Sequence, residues 1–297
     1  MTLERHGRLG NWMYSYASLL GIAKANGYTP YLLDSHPLNT FFKISYTSKK
    51  PVDCKSVLYD EKPCAYNKQL FQLPFGNITI DGYIQSWKYF RLIEQEVRQE
   101  FILNEALKNY VIMEFHNLVG IYLQQNRLII SIHVRRGDVL KPEARRLGFC
   151  HAPKLYFDRA MKHMLSKFPH SAFLVFSDDM AWCQENIKTI KINNSSVPIV
   201  FSRSNSMGVD MGMLSLCNHS IISVGTFGWW GAWLANGHVV YYDGFPLPGT
   251  KVFYETVKED YFPENWIAIS GSEKNVSFFP TVYLCIISLF KYSYSSI

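Results

Sequence analysis

Two adjacent arginines follow an apolar segment of this 297-residue chain. The segment Leu128-Ile129-Ile130-Ser131-Ile132 is predicted to be a buried strand, and His133-Val134-Arg135-Arg136-Gly137-Asp138 comes directly after it. The planar guanidinium group of arginine binds phosphate through two parallel, charge-assisted hydrogen bonds. In open α/β sheets, ligands gather outside the carboxyl ends of the strands. The pattern therefore predicts a site for a phosphate-bearing substrate.

Three further segments carry residue types that suit a ligand site. They are Gly7-Arg8-Leu9-Gly10-Asn11, Ser177-Asp178-Asp179 and Gly225-Thr226-Phe227-Gly228-Trp229-Trp230-Gly231-Ala232-Trp233. Glycines before a helix let a ligand approach the backbone closely, and the first N–H groups of the helix then form an anion site. The first segment is not the dinucleotide-binding G-x-G-x-x-G, and nothing in the chain matches the P-loop pattern.

The strand-end arginines and their neighbours also have a structural interpretation. Arg135 and Arg136 can pair with Asp138 and nearby carboxylates in a network that only stabilises the fold. His133 is as compatible with a buried core histidine as with a ligand contact. The sequence leaves both interpretations open.

The other two segments have structural alternatives of the same kind. Asp178 and Asp179 are turn or N-cap residues, or they belong to a site. Trp229 and Trp233, four positions apart, favour the core face of a helix over stacking on a sugar. The same spacing puts Trp230 on another face of the helix, and the sequence does not explain a tryptophan there.

The elements that must position these residues are clearest after residue 127. Apolar runs predict strands at Leu128–Val134, Ala172–Ser177, Val197–Phe201, Ser220–Val224 and His238–Tyr242. Helical spacing predicts helices after Pro153, at Met180–Ile187, at Gly208–Cys217 and at Phe227–Ala235. The alternation predicts an α/β fold with a doubly wound parallel sheet in the C-terminal half.

The N-terminal half has a weaker pattern. Residues Gly10–Asn26 predict an amphipathic helix with Gly27 as its C-cap, and a strand is predicted at Thr29–Leu33. Residues Ser45–Asn77 are predicted to be loop-rich, and Glu94–Phe115 to be helical.

The length accommodates two α/β halves, each with its own core. We predict an N-terminal half at 1–126, whose first strand is expected to be truncated, and a C-terminal half at 127–269. Residues 270–297 form an apolar tail, in which Val276–Phe290 is shorter than the ~20 residues that span a bilayer as a helix. We expect no signal peptide or N-terminal membrane span in residues 1–6.

Composition limits the classes of partner. The formal charge of +6 is scattered, which fits an anionic substrate, proximity to a membrane or an ordinary surface. No nucleic-acid-binding motif accompanies it, so no nucleic-acid partner is expected. Six cysteines show no CxxC pair or zinc-ligand spacing, and their redox state stays open. Five N-x-[ST] sequons fit a secretory-pathway chain, although Asn218, before a core strand, is predicted to be structural.

Together the segments resemble the α-1,2-fucosyltransferases of glycosyltransferase family 11, which add L-fucose from GDP-fucose to the 2-hydroxyl of a terminal galactose. The resemblance runs from Gly7 to about Ile269. The HxRRxD pattern at 133–138 is shared with other fucosyltransferases and identifies the donor better than the acceptor. The blocks Gly82-Tyr83-Ile84-Gln85-Ser86-Trp87 and Ala181-Trp182-Cys183-Gln184-Glu185-Asn186 narrow the match to the α-1,2 family. Trp12 departs from the family's usual Gln.

The resemblance implies two Rossmann-like lobes in a GT-B-like arrangement, with the acceptor on the N-terminal side and GDP-fucose on the C-terminal half. Arg135 would hold the β-phosphate as a catalytic residue, and Asp138 is a candidate proton acceptor by proximity in sequence. The remaining implied substrate-binding residues are Gly7, Arg8, Gly10, Asn11, His133, Arg136, Asp178, Asp210, Thr226 and Phe227. Arg136 and His133 would support Arg135 or contact the nucleotide, Thr226 and Phe227 would bind diphosphate and guanosine, and Asp210 would face guanine.

The resemblance also implies an inverting displacement and a type II Golgi membrane protein with a lumenal catalytic domain, whose membrane anchor is expected in a segment missing from this chain. The chain has no Asp-x-Asp triplet, so no metal cofactor is expected. Two alternatives stay open. One is a fucosyltransferase with another acceptor, and the other is a truncated, non-catalytic remnant that binds a nucleotide or glycan.

Overall fold

The computed structural model describes residues 1–4, 6–50, 56–59, 62–204 and 206–272. The elements before residue 128 are β1 (Thr2–Leu3), α1 (Leu9–Asn26), β2 (Leu32–Leu33), β3 (Thr47–Ser48), β4 (Ser56–Tyr59), β5 (Ile78–Asp81), α2 (Glu94–Glu100) and α3 (Glu105–Gln124). Strands β1, β5 and β4 form a parallel sheet in that order, and β2 pairs with β3. Short 3-10 helices cover Pro37–Thr40, Lys68–Phe71 and Trp87–Tyr89.

The elements from residue 128 onward build a larger sheet. They are β6 (Leu128–Val134), α4 (Pro142–Leu147), α5 (Lys154–Lys167), β7 (Ser171–Ser177), α6 (Met180–Asn186), β8 (Lys191–Ile192), β9 (Ser195–Ser196), β10 (Ile199–Phe201), α7 (Met207–Leu216), β11 (His219–Ile222), α8 (Thr226–Ala235), β12 (Val239–Tyr242), α9 (Lys251–Tyr254), α10 (Lys258–Tyr261) and β13 (Ile267–Ile269), with a 3-10 helix at Asp138–Leu140. The six-stranded parallel sheet has the order β10-β7-β6-β11-β12-β13, while β8 and β9 form an antiparallel hairpin. The strand order reverses between β6 and β11, and such a switch point opens a crevice for a ligand.

The predicted doubly wound sheet is confirmed. All five predicted strands and the four predicted helices of this half are present, with ends that differ by a few residues. Strand β13 was not predicted, because it is a three-residue edge strand in which Ile267 is 37% exposed. An edge strand of that length leaves little apolar pattern in the sequence.

The N-terminal predictions are confirmed in part. Helix α1 ends at Gly27, whose φ of 70° and backbone N–H bonds to the last turn make the predicted C-cap. The predicted helix Glu94–Phe115 is instead two helices, because Asn104 caps α3 by accepting a hydrogen bond from the Leu107 backbone N–H at 3.0 Å. The predicted strand Thr29–Leu33 is reduced to β2, and the loop-rich region contains the short strands β3 and β4.

Helix α8 lies in the middle of the molecule, packed against α1, α7 and β11. Trp229, Trp230 and Trp233 are all buried, and Trp230 stacks on Phe90 with ring centroids 5.6 Å apart. The core-face prediction for Trp229 and Trp233 is confirmed. Trp230 is equally buried. Other elements surround α8, so the part of the helix near Trp230 has no face toward solvent, and a helix buried in this way is apolar all round.

Helix α3 precedes the predicted boundary and packs on the large sheet, where Val111, Phe115 and Val119 share a core with Ile129 and Leu174. The boundary near residue 126 stays a prediction. In the described ranges, no helix combines the length and apolar character needed to cross a bilayer. Residues 276–290 lie outside the described part.

Two smaller predictions concern asparagine and cysteine. Asn218 exchanges two hydrogen bonds of 2.8 Å with the backbone of Ile129, which confirms its structural role. Cys150, Cys183 and Cys217 are buried thiols that form no disulfide with the residues that the structure describes.

Candidate active site

A cavity of about 870 Å³ opens at the carboxyl ends of β6 and β11. Ten of the twelve predicted site residues line it: Arg8, Gly10, Asn11, His133, Arg135, Asp138, Asp178, Asp210, Thr226 and Phe227. Gly7 and Arg136 do not. The crevice that strand order places at the switch point thus contains most of the chemistry that the sequence singled out.

The N-termini of α1 and α8 meet in the wall of this cavity. A Cβ atom on Gly10 would lie 2.7 Å from backbone atoms of Thr226 and Phe227, so only glycine allows this approach. The Thr226 hydroxyl donates to Asn11 Oδ1 at 2.7 Å, and Gln85 Nε2 donates to the same oxygen at 3.1 Å.

Gly7 shapes the site from outside the lining. Its φ is +68°, and a Cβ atom there would lie 1.9 Å from Asn11 Nδ2. Both features require glycine, because other residues rarely adopt this conformation and the Asn11 side chain occupies the space. Gly7 therefore leaves the space that the Asn11 side chain occupies.

The N-terminus of α8 is suited to bind an anion. Gly225, at φ 91°, is the N-cap residue and supplies no side-chain cap, while the Thr226 hydroxyl bonds to Asn11 instead. The first N–H groups of a helix have no partner within the helix and carry partial positive charge. Arg135 lies beside this end, because a Cβ atom on Gly225 would be 3.2 Å from Arg135 Cδ.

Arg135 is held by an acidic neighbour and retains free donors. Its Nη2 donates to both oxygens of Asp138, at 2.6 and 2.7 Å, and Arg8 Nη2 donates to Asp138 Oδ2 at 2.5 Å. Ser223 Oγ accepts from the Arg135 backbone N–H at 2.8 Å. Nη1 lies 3.7 Å from Asp178 Oδ2. Neither Nε nor Nη1 makes a hydrogen bond with a described residue, so both can meet a phosphate.

Arg136 belongs to a structural network with Asp179 and Trp182. Its Nε donates to Asp179 Oδ2 at 3.0 Å, and its guanidinium carbon lies 4.1 Å from the centroid of the Trp182 ring. Asp179 also caps α6 by accepting from the Trp182 backbone N–H at 3.2 Å, which confirms the N-cap interpretation. Asp178 accepts from the Arg136 backbone N–H at 2.7 Å. The network interpretation thus holds for Arg136, and a contact of its guanidinium with a ligand stays a prediction.

His133 is a buried, neutral imidazole in the cavity wall. It is 6% exposed, and its Nδ1 has no hydrogen-bond partner among the described residues. Burial, reinforced by Arg135, lowers its pKa to about 4. Its ring lies 5.6 Å from that of Phe227.

Asp210, on α7, places a half-buried carboxylate in the lining of the cavity. Burial raises its pKa to about 6, against the hydrogen bonds from Ser202 and Ser204. Ser202 Oγ donates to Oδ1 at 3.1 Å. The group therefore changes charge just below neutral pH.

Several lining residues were not predicted as site residues. They include Cys64, Tyr83, Gln85, Ser204, Met207, Lys251, Glu255 and Thr256. Tyr83 and Gln85 lie in the recognised block 82–87, which carried no assigned role. Lys251 and Glu255 follow no pattern in the sequence. Within the described ranges, His, Cys, Asp and Glu side chains form no group of three that could hold a metal ion.

A family model and two sequence relatives match most of this chain. The family model of glycosyl transferase family 11 matches residues 1–270. Galactoside alpha-(1,2)-fucosyltransferase 1 of Rattus norvegicus is 32% identical over 285 residues, covering 91% of this chain and 73% of the relative. Galactoside 2-alpha-L-fucosyltransferase SEC1 of Bos taurus is 30% identical over 281 residues, covering 91% and 74%.

Solved structures share the fold at low identity. A mutant of Arabidopsis thaliana FUT1 in complex with GDP superimposes with a TM-score of 0.54 and 12% identity, over 81% of this chain and 69% of that one. A glycosyl transferase family 9 protein from Veillonella parvula gives a TM-score of 0.50 and 12% identity, over 91% and 84%. The likeness supports a GT-B-like arrangement of the α/β elements.

Proposed function

The chain belongs to glycosyl transferase family 11, and we propose that it transfers L-fucose from GDP-β-L-fucose to the 2-hydroxyl of a terminal galactose, with inversion at the anomeric carbon. The observation that carries the proposal is the position of Arg135 beside the uncapped N-terminus of α8, inside the cavity at the switch point. The Arg135 guanidinium group and the first N–H groups of α8 both place positive charge in that part of the cavity.

The donor diphosphate fits between these two sources. Nε and Nη1 of Arg135 supply charge-assisted donors, and the first N–H groups of α8 supply the helix end. Asp210 suits the guanine, because an ionised carboxylate accepts from its N–H donors. Phe227 and the neutral His133 offer the flat, weakly polar surface that a nucleoside ring packs against.

The transfer is a displacement at one carbon. The galactose oxygen attacks C1 of fucose, the bond from C1 to the β-phosphate oxygen breaks, and its electron pair leaves with GDP. Negative charge therefore grows on the diphosphate, where fixed donors stabilise the transition state. This charge stabilisation comes from the chain's own arginines and helix end, and we propose that it operates without a metal ion.

Asp138 has a second role open to it besides that of proton acceptor. Both of its oxygens accept from Arg135, and one also accepts from Arg8. This carboxylate therefore orients two guanidinium groups toward one place. We propose that Arg8 assists Arg135 through this shared partner.

A direct assay tests the proposal. The purified protein is incubated with GDP-fucose and a β-galactoside, and mass spectrometry follows the fucosyl product, whose linkage is checked with an α-1,2-specific fucosidase. We expect an α-1,2-linked product and release of GDP. Product only on a different sugar or on a protein hydroxyl would point to another acceptor. Saturable GDP binding without transfer from any acceptor would favour the non-catalytic alternative.

We also propose that the protein works in the Golgi lumen, as its family resemblance implies. The exposed turn between β8 and β9 supports this, because Asn193 and Asn194 both start N-x-[ST] sequons there. Expression in secretory cells, with localisation and a mobility shift on enzymatic removal of N-glycans, tests it. A protein that stays outside the secretory pathway would contradict it.

A further inference from the structure

We propose that Glu255 is the group that accepts the proton of the galactoside hydroxyl during the transfer. The assignment rests on the proposed function and gives the role of proton acceptor to Glu255 in place of Asp138, whose oxygens already accept from Arg135 and Arg8. It begins from the geometry of one carboxylate that no sequence pattern singled out.

Glu255 follows α9 and lines the cavity. Its side chain is 26% exposed, and the Lys251 ammonium is 3.6 Å away. That distance is an ion pair but exceeds a hydrogen bond. Among the described residues, none donates a hydrogen bond to the Glu255 side chain. Its oxygens are therefore open to a hydroxyl donor.

The backbone holds this carboxylate at the junction of the two halves. The Cys64 N–H donates to the Glu255 carbonyl at 3.3 Å, and the Val257 N–H donates to the Cys64 carbonyl at 2.9 Å. Residue 64 comes from the N-terminal half, which the family resemblance assigns to the acceptor. The backbone of Glu255 therefore joins the segment around Cys64 to the wall of the cavity that Arg135 also lines.

The other carboxylates of the cavity are already engaged. Four line it: Asp138, Asp178, Asp210 and Glu255. Asp138 accepts from two arginines, Asp178 from the Arg136 backbone N–H, and Asp210 from Ser202. A proton acceptor must lie within hydrogen-bond reach of the hydroxyl with a lone pair available to it. Glu255 meets the second condition better than the other three.

The step balances as a single displacement. The acceptor O–H proton passes to a Glu255 oxygen while the acceptor oxygen bonds to C1 of fucose. The C1–oxygen bond to the β-phosphate breaks, and its electron pair leaves with GDP. The protonated carboxyl then returns its proton to water through the exposed part of its side chain, and Lys251 stabilises the restored anion.

The experiment compares Glu255→Gln with the wild type. We expect kcat to fall by about 10²–10⁴-fold, while the Kd for GDP changes by less than about threefold. The rise of kcat with pH on the acid side, which reports ionisation of the proton acceptor, should be lost in the variant. Glu259→Gln, an exposed carboxylate four residues further on, is the matched control and should keep wild-type kinetics.

Asp138→Asn and Glu255→Asp make the outcome decisive. Glu255→Asp should retain the acid-side pH dependence with a reduced kcat. GDP binding and thermal unfolding establish that each variant is folded. The assignment is overturned if Glu255→Gln keeps wild-type turnover, or if Asp138→Asn alone removes the acid-side limb. A folded wild type that transfers no fucose overturns the proposed function itself, whereas transfer by the wild type with unaffected Glu255 variants overturns only this assignment.

Discussion

The Thr226 hydroxyl donates a 2.7 Å hydrogen bond to Asn11 Oδ1, joining residues 215 positions apart. The bond connects the N-terminus of α8 to that of α1. The N-cap residue Gly225 has no side chain, so no side-chain oxygen accepts from the first N–H groups of α8, and these stay available. The Thr226–Asn11 hydrogen bond therefore joins two helix ends beside the proposed phosphate site.

Gly10→Ala should damage this junction. The new methyl group would lie 2.7 Å from backbone atoms of Thr226 and Phe227, which cannot move aside as a flexible side chain can. We expect a loss of about 1–3 kcal/mol in the free energy of unfolding and weaker GDP binding. Denaturant unfolding and calorimetric titration measure the two effects. Gly120→Ala is the control, because the nearest atom is 3.8 Å away, and alanine there should be neutral or slightly stabilising.

Arg135→Ala should reduce kcat by about 10²–10³-fold, because it removes a fixed donor to the leaving diphosphate. The thermal midpoint should change little, since the backbone bond to Ser223 remains. Arg135→Lys keeps the charge but loses the planar fork, so an intermediate rate is expected. Steady-state kinetics measures the rates. Arg146→Ala, at an exposed ion pair, serves as the surface control. Normal turnover in Arg135→Ala would remove this residue from the mechanism.

The strand-end arginine and the sheet around it were accessible from sequence. Leu128–Val134 is apolar except at Ser131 and His133, and two arginines follow it; such a segment predicts both a buried strand and the place where a ligand binds. The direction of the chain then places His133 near the carboxyl end of this strand and Arg135 directly after it. Residues near a strand end can therefore be located from the local sequence pattern alone.

The remaining site residues depend on contacts that the sequence does not encode locally. Gln85 reaches Asn11 across 74 positions, and Glu255 reaches the cavity through backbone pairing with Cys64. Helix α9 has four residues, too few for a periodic pattern. Adjacency to Arg135 did not reveal that the Arg136 guanidinium packs on Trp182, because successive strand-end side chains point to different sides.

A chelator should leave the reaction rate unchanged. In the proposed mechanism, Arg8 and Arg135 supply the positive charge that a divalent ion provides in other transferases, and both lie in the cavity lining. We expect the rates with EDTA and with added Mg²⁺ or Mn²⁺ to agree within about twofold. Measurement of GDP release under each condition checks this. A rate that collapses with EDTA and returns with one metal would contradict metal independence.

GDP affinity should decrease below pH 6 because of Asp210. Its pKa of about 6 means that the carboxyl is protonated under acid conditions and can no longer accept from both guanine donors. We expect the Kd to rise as pH falls below that value, by at most about tenfold per pH unit. Asp210→Asn should bind GDP more weakly at pH 7.5 and lose this contribution. The pH dependence of the Kd that remains in the variant then reports protonation of the GDP phosphate. Identical pH profiles for the two proteins would exclude Asp210 from guanine binding.

The same carboxylate should lower the stability of the ligand-free protein at neutral pH. Its folded pKa, about 6, is above its unfolded value, so its protonated form stabilises the fold below pH 4 and that contribution is lost as pH rises through 6. Asp210→Asn removes the buried charge, and we expect about 1–3 kcal/mol more stability than the wild type at pH 7.5. The difference should vanish near pH 4. Denaturant unfolding at both pH values measures it, with Asp158→Asn, at a surface ion pair with Lys154, as the control. A less stable Asp210→Asn at pH 7.5 would show instead that the ionised carboxylate contributes to folding, and the stability cost assigned to its burial would then be wrong.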